Sequence, residues 1–139
     1  MSFTHAIRSG FANYVNFRGR AMASEFWWWQ LFVLLVAVAG GMIDGAFDLN
    51  AGVAGDLWAL ATLLPSVAVA VRRLHDLDMS GWWLLALFIP LVGLGLLVVW
   101  FIGEGSPGYN RFGANPKLRD VSRHALGRSL HRGQTNTAN

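Results

Sequence analysis

The stretch Arg72-Arg73-Leu74-His75-Asp76 has charged or titratable side chains at four of its five positions. Two adjacent guanidinium groups can hold a phosphate, because each planar fork donates paired hydrogen bonds to its oxygens. Arg72 and Asp76 stand four residues apart, so they can instead pair with each other along a helix. The stretch is therefore either a site for a lipid phosphate or small anion, or an ion-pair cluster that fixes topology and helix packing.

The same stretch contains residue types that hydrolytic enzymes use. His75, Asp76 and Ser80 could supply a catalytic triad, but neighbours on one short segment rarely point at each other as a triad requires. A metal site at His75 and Asp76 needs further ligands, and His5 is the only other histidine before residue 124. The chain has no cysteine, which excludes thiolate ligands and Cys nucleophiles. We expect no enzyme activity, no catalytic residue, no metal and no cofactor.

These residues lie between apolar runs that do not suit a soluble domain. Hydrophobic residues make up 54% of the 139 residues and charged residues only 14%, against about 25% charged in a typical soluble domain. The apolar residues come in long runs without a helical or strand period, which indicates lipid-facing helices. The formal net charge is +3 and most cations flank the runs. Anionic lipid headgroups therefore fit this chain better than nucleic acid does.

The runs predict an all-α membrane protein with three transmembrane helices, at about residues 26–43, 53–72 and 81–103. The first run opens with Trp27, Trp28 and Trp29, which suit a membrane interface. We predict a membrane domain over residues 1–117. Residues 118–139 form a polar tail without a sustained apolar pattern, which we predict to be disordered.

The third run is long enough to cross a bilayer, at about 35 Å as a straight helix. Trp82 and Trp83 flank one end and Trp100 the other, as interface anchors roughly one bilayer apart would do. A straight span is the expectation. Pro90 and Gly93 lie inside the run and leave a bend or a re-entrant turn open.

The segment before the first run has apolar residues on one helical face and polar residues on another. The apolar set is Phe3, Ile7, Phe11, Tyr14 and Phe17, and the polar set is Ser9, Asn13 and Asn16. This pattern predicts an N-terminal amphipathic interfacial helix, which lies at the membrane surface.

The order of the runs determines which segments share a side of the membrane. If the first two runs span, residues 1–25 and 72–80 lie on one side and the acidic loop 44–56 on the other. Five Lys and Arg residues on the first side against four in the nearby tail do not decide the orientation. Because the first helix usually dominates, we expect a cytoplasmic N-terminus. Re-entry of the third run, or dual insertion, also fits this charge balance.

Glu25 enters the membrane at the interface where Arg72 and Arg73 leave it. A lone carboxylate at that depth is costly unless it is paired, so we predict an ion pair between Glu25 and Arg72 or Arg73. The surplus guanidinium groups would then hold a lipid phosphate. The hypothetical lipid or anion site comprises Arg18, Arg20, Arg72 and Arg73, and the hypothetical interhelix ion pairs involve Glu25, Arg72, Arg73 and Asp76.

Several short motifs occur together in one order along the chain. They are Phe17-Arg-Gly-Arg-Ala21, Glu25-Phe-Trp27, Leu64-Pro65, Arg72-Arg-Leu-His-Asp76, Ser80-Gly-Trp-Trp83, Ile89-Pro90 with Gly93, Gly108-Tyr-Asn-Arg-Phe-Gly113 and Asn115-Pro116. Over about residues 14 to 117 the chain resembles a large family of small bacterial inner-membrane proteins known as domain of unknown function 805, the YhaH-like proteins. The resemblance implies a multi-pass protein of the bacterial inner membrane and supplies no activity.

The expected role is a non-enzymatic binding or organising protein. It would contact anionic membrane lipid, or a membrane-protein partner, through its Arg-rich interface; a homo-oligomer is also open, and nucleic acid is not expected. The alternative is a subunit of a small oligomeric channel or transporter. The predicted spans contain no buried charged residue, which counts against ion-coupled transport by a monomer.

Overall fold

The computed structural model describes residues 1–46, 53–118 and 121, and this part of the chain is helical without a β-strand. The helices are α1 (Phe3–Ala12), α2 (Ala23–Ala46), α3 (Val53–Asp76), a 3-10 helix (Gly81–Phe88) and α4 (Val92–Ile102). The prediction of an all-α chain is confirmed for the described residues. The centre of the acidic loop, residues 47–52, and nearly all of the tail predicted to be disordered lie outside them.

The two long helices, α2 and α3, contain the first two predicted spans. Each has 24 residues, or about 36 Å, which exceeds the roughly 30 Å hydrocarbon core of a bilayer. They run antiparallel: the indole of Trp29 donates to Ser66 Oγ at 3.0 Å, and that of Trp58 donates to the carbonyl of Val33 at 3.0 Å. The outer faces expose large apolar side chains such as Leu34 and Leu60, which lipid would solvate.

The N-terminal helix α1 packs onto the two long helices through its small residues. Ala6 is fully buried, and Gly10 lies so close to the Trp29 indole that a side chain there would overlap it. The helix ends at Ala12 and is shorter than predicted, because Tyr14 and Phe17, expected on its apolar face, lie beyond its end. The Tyr14 hydroxyl donates to the backbone carbonyl of Ala61 in α3. Packing and hydrogen bonds to α2 and α3 therefore hold this segment in place.

The third apolar run folds back on itself and does not form one helix. Its 3-10 helix is followed by a break at residues 89–91 and then by α4. The rings of Trp83 and Trp100, expected one bilayer apart, lie edge to face with centroids 5.4 Å apart. This corrects the expected third span over residues 81–103: the run is a re-entrant hairpin, with both ends on the same side as the start of α2 and the end of α3.

The local sequence explains the hairpin. The eight residues of the 3-10 helix and the eleven of α4 each rise about 16 Å, half of a bilayer core. Pro90 has no N–H to continue a helix, and Leu91 takes a positive φ of 63° that reverses the chain. Gly93 lies against the carbonyl of Ala86, where a side chain would overlap. Gly93, Leu97 and Phe101 are buried at helical spacing, so one face of α4 packs on the protein.

Candidate functional site

The sequence-predicted charged residues gather where α2 begins and α3 ends. Five of the six are buried there, and Arg18 is exposed. The buried five are Arg20, Glu25, Arg72, Arg73 and Asp76. They form two separate networks, one around Asp76 and one around Glu25.

The Asp76 cluster consists of Arg20, Arg73 and Asp76. Arg73 Nη1 lies 2.6 Å from Asp76 Oδ2, and Arg20 Nε lies 2.9 Å from Asp76 Oδ1. The sequence allowed Asp76 to pair with Arg72 four residues away. Its partners are instead Arg73, three residues away, and Arg20 from the loop between α1 and α2. One buried carboxylate is thus shared by two buried guanidinium groups, an arrangement that needs further acceptors.

Arg73 finds those acceptors at the end of the hairpin. Its guanidinium donates to the backbone carbonyls of Trp100 at 3.1 Å, Phe101 at 3.3 Å and Gly103. The last carbonyls of a helix have no intrahelical partner and carry the negative end of its dipole, so a cation is favourable there. Arg73 therefore fastens the end of α4 to the end of α3.

Arg20 joins the segment after α4 to the end of α3. It donates to the backbone carbonyls of Ser106 at 2.6 Å, Gly108 at 2.6 Å and Gly113 at 3.2 Å. The donors of Arg20 and Arg73 are therefore engaged within the protein. Of the four arginines predicted to form a lipid or anion site, Arg73 links α3 to the end of α4, and Arg20 links the loop before α2 to the segment after α4.

Three further residues of this region were not identified from the sequence as binding partners. Asn110 Nδ2 donates to the carbonyl of His75 at 2.8 Å, and Asn115 Nδ2 donates to that of Pro107 at 2.9 Å. The His75 ring stacks on Phe112 with centroids 3.8 Å apart. The signal in the sequence was a short polar segment with Gly, Asn and Pro, which predicts a turn but not what the turn binds.

The Glu25 cluster consists of Ser9, Glu25 and Arg72. Glu25 Oε1 accepts a hydrogen bond from Ser9 Oγ at 2.8 Å and another from Arg72 Nη1 at 3.0 Å. The side chains of Glu25 and Arg72 are each 6% exposed. Arg72 is the partner of Glu25 and Arg73 is not. The sequence placed Ser9 on the polar face of α1 but did not identify it as a partner of Glu25.

One edge of the Arg72 guanidinium remains without an acceptor. Its Nε and Nη2 are buried and donate to no atom of the described residues. These two nitrogens form the side-on fork with which an arginine holds a carboxylate or phosphate through two parallel hydrogen bonds. A buried charged donor without a partner is costly, so the arrangement favours a bound acceptor.

A polar cleft of about 350 Å³ lies over this pair. The polar face predicted for α1 supplies one wall, the start of α2 and the end of α3 supply others, and Arg18 adds an exposed cation. Its polar lining includes Ser9, Asn13, Asn16, Arg18, Glu25 and Arg72. The cleft therefore combines one buried ion pair, two further cations (Arg18 and the buried Arg20) and neutral hydrogen-bonding groups.

Comparison with known proteins identifies the family of this chain. Residues 14–114 match the model of a family described as "Protein of unknown function (DUF805)". The Escherichia coli K12 inner membrane protein YhaI is 43% identical over 106 residues, covering 76% of this chain and 90% of the relative. Inner membrane protein YhaH of the same strain is 38% identical over 110 residues, covering 76% and 91%.

No solved structure matches the chain. The family match covers both long helices, the re-entrant hairpin and the Asp76 cluster, and the relatives are aligned over nearly their whole length. The chain therefore belongs to the DUF805 family and is a multi-pass protein of the bacterial inner membrane.

Proposed function

We propose that this protein is a non-enzymatic lipid-binding protein that holds the phosphate of an anionic membrane lipid in the cleft over Glu25 and Arg72. The observation that carries the proposal is the buried, unpartnered edge of Arg72, which belongs to a side chain in the cleft wall. A phosphate can accept both free N–H groups at once. Arg18, an exposed cation in the lining, adds attraction for an anion without a fixed partner geometry.

The depth of the cleft favours a lipid as the source of the phosphate. Glu25 lies in the first turn of α2 and Arg72 in the last turns of α3, so the cleft lies where both helices leave the hydrocarbon. Exposed Trp27 and Trp28 lie on α2 at the same level, as aromatic residues do at a membrane interface. Headgroup phosphates occupy this layer of the bilayer.

The residues that might have supplied hydrolysis are engaged elsewhere. His75 Nδ1 lies 3.1 Å from the carbonyl oxygen of Gly19, Asp76 binds two arginines, and Ser80 Oγ accepts from the Trp82 N–H at the start of the 3-10 helix. A triad needs its nucleophile, base and orienting acid in one hydrogen-bonded chain. This supports binding without catalysis.

Thermal unfolding of the full chain in mild detergent tests the proposal. Added phosphatidylglycerol should raise the melting temperature of the wild type in a concentration-dependent way, because a ligand that binds only the folded state stabilises it. Arg72→Lys keeps a cation beside Glu25 but removes the fork, and it should lose most of the shift. Arg111→Lys is the matched control, since Arg111 pairs with Asp78 in an exposed position outside the cleft. Equal shifts in all three proteins would refute lipid binding at Arg72.

A second candidate function, a subunit of a small oligomeric channel or transporter, is favoured by the hairpin. Irregular backbone at membrane depth is tolerated only where protein covers it or where it lines an aqueous cavity. At the turn of the hairpin, Phe88 is 83% exposed and Leu91 is 88% exposed in the single chain. A neighbouring subunit could cover this turn. Ion or solute flux through liposomes that contain the purified protein would support this function, and tight liposomes with a monomeric protein would exclude it.

A further inference from the structure

We infer that the cleft over Glu25 and Arg72 selects a phosphodiester headgroup that carries a single negative charge and a hydroxyl group. The inference rests on the proposed function and specifies its ligand. It separates headgroups such as phosphoglycerol from phosphomonoesters and from zwitterionic phosphodiesters.

The charge of the cleft sets the first condition. The charged side chains that line it are Arg18, Arg20, Arg72 and the single carboxylate Glu25. Arg20 shares Asp76 with Arg73, so that carboxylate does not cancel both guanidinium charges. The lining therefore carries an excess of positive charge, which favours an anionic headgroup. A phosphodiester such as phosphoglycerol brings one negative charge and a phosphomonoester close to two at neutral pH, whereas a zwitterionic headgroup brings none.

The carboxylate of Glu25 sets the second condition. Its Oε1 accepts both hydrogen bonds of the cluster, from Ser9 and from Arg72, while Oε2 accepts none from the described residues. An ionised carboxylate can only accept, so this oxygen repels a second phosphate charge and attracts a hydroxyl donor. The same group thus favours one headgroup and disfavours another, as selective sites commonly do.

The part of the wall formed by Asn13 and Asn16 is neutral, and its amide oxygens can accept hydrogen bonds from hydroxyl groups. Asn16 Nδ2 donates to Asn13 Oδ1 at 2.9 Å, and Asn13 Nδ2 donates to the carbonyl of Ser9 at 2.9 Å. Asn16 Oδ1 also accepts from the backbone N–H of Arg18 at 3.1 Å. This chain of amides fixes the loop that carries Arg18 and adds no charge. The cleft volume of about 350 Å³ lies within the range of about 300–1,000 Å³ that is typical of small-ligand sites.

Native mass spectrometry of the detergent-solubilised full chain tests the selectivity. The protein is mixed with equal amounts of phosphatidylglycerol, phosphatidic acid and phosphatidylethanolamine, and bound lipids are counted. Phosphatidylglycerol should bind on the order of tenfold more tightly than either competitor, and Arg72→Lys should lower its affinity by roughly tenfold or more, as the loss of charge-assisted hydrogen bonds does. Arg111→Lys should bind as the wild type does.

Two variants change the charge of the cleft in opposite directions and should change the headgroup preference accordingly. Glu25→Gln removes the negative charge, so phosphatidic acid should gain on phosphatidylglycerol. Arg18→Gln changes only an exposed side chain and leaves the buried pair intact, so it keeps the test valid if Glu25→Gln does not fold. It lowers the positive charge of the cleft, so phosphatidylethanolamine should gain on phosphatidylglycerol.

The outcomes separate the two proposals. Equal binding of phosphatidylglycerol and phosphatidic acid to the wild type, with both lost in Arg72→Lys, overturns the selectivity and leaves lipid binding intact. Unselective binding that Arg72→Lys does not change overturns both. Soluble glycerophosphoglycerol serves as a further competitor: if it displaces the lipid at equal concentration, the phosphodiester chemistry stands and the lipid as its source is wrong.

Discussion

Asp76 lies at the centre of a densely hydrogen-bonded region. Its carboxylate is 4% exposed and faces two guanidinium groups that are 1% and 0% exposed. Arg20 and Arg73 complete their hydrogen bonding with backbone carbonyls that lie 27 to 93 residues away in sequence. Among the described residues, the guanidinium of the adjacent Arg72 donates only to Glu25. Neighbouring residues of identical type therefore differ in role because of the acceptors within their reach.

Replacement of Asp76 by Asn should be severely destabilising. It leaves two buried cations with no carboxylate, and loss of one partner from a buried ion pair costs about 3–5 kcal/mol. Asp78→Asn is the control, because the exposed Asp78–Arg111 pair should change stability by no more than about 1 kcal/mol. Denaturant unfolding in detergent measures both. A cost for Asp76→Asn as small as that of Asp78→Asn would show that backbone carbonyls alone sustain the two arginines.

The Glu25–Arg72 pair should behave as a coupled pair in a double-mutant cycle. Both side chains are buried and lie 3.0 Å apart, so Glu25→Gln and Arg72→Gln should show a coupling energy of about 1 kcal/mol or more in unfolding free energy. The matching cycle of Glu25→Gln with Arg73→Gln should be additive within about 0.5 kcal/mol, because Arg73 pairs with Asp76. Additivity in both cycles would mean that each group is solvated independently.

At the scale of helices, sequence and structure agree where hydropathy alone decides the outcome. The runs that predicted spans at 26–43 and 53–72 lie within α2 and α3. The run at 81–103 has the length and the aromatic flanks of a span. Hydropathy, however, does not determine whether the chain continues straight or turns back. The reversal depends on Pro90 and Leu91 and on carbonyls that Arg73 holds from another helix. Likewise, the predicted ion pairs followed from depth in the membrane, while the partners of Arg20 depended on the path of a polar loop.

Two glycines of the hairpin offer a matched test of its packing. Gly93→Ala places a methyl group against the carbonyl of Ala86, whereas nothing lies within 4 Å of the equivalent position at Gly95. Overpacking of this kind costs about 1–3 kcal/mol, so Gly93→Ala should lower the melting temperature. Gly95→Ala should leave it unchanged or raise it, because alanine favours a helix. Equal effects of the two changes would argue against the contact between α4 and the 3-10 helix.

For the whole molecule, the hairpin changes the distribution of charge across the membrane. With both of its ends on one side, the cations of the described residues all lie there. They are Arg8, Arg18, Arg20, Arg72, Arg73, Arg111 and Lys117. The connection between α2 and α3 has Asp48 and no cation. A straight third span would have placed Arg111 and Lys117 opposite the other five. The re-entrant hairpin concentrates all seven on one side, and the positive-inside rule predicts that this side is cytoplasmic.

Single-cysteine labelling can test both the hairpin and the orientation, since the natural chain has no cysteine. In intact cells, a membrane-impermeant maleimide should label Asn50→Cys, while Asp78→Cys and Ala114→Cys should react only after permeabilisation. Ala114 and Asp78 are exposed, so lack of access would reflect the membrane and not burial. Labelling of Ala114→Cys together with Asn50→Cys would restore a third span. Labelling of Asp78→Cys and Ala114→Cys without Asn50→Cys would keep the hairpin and reverse the orientation, so that the cleft over Glu25 and Arg72 would face the outer leaflet.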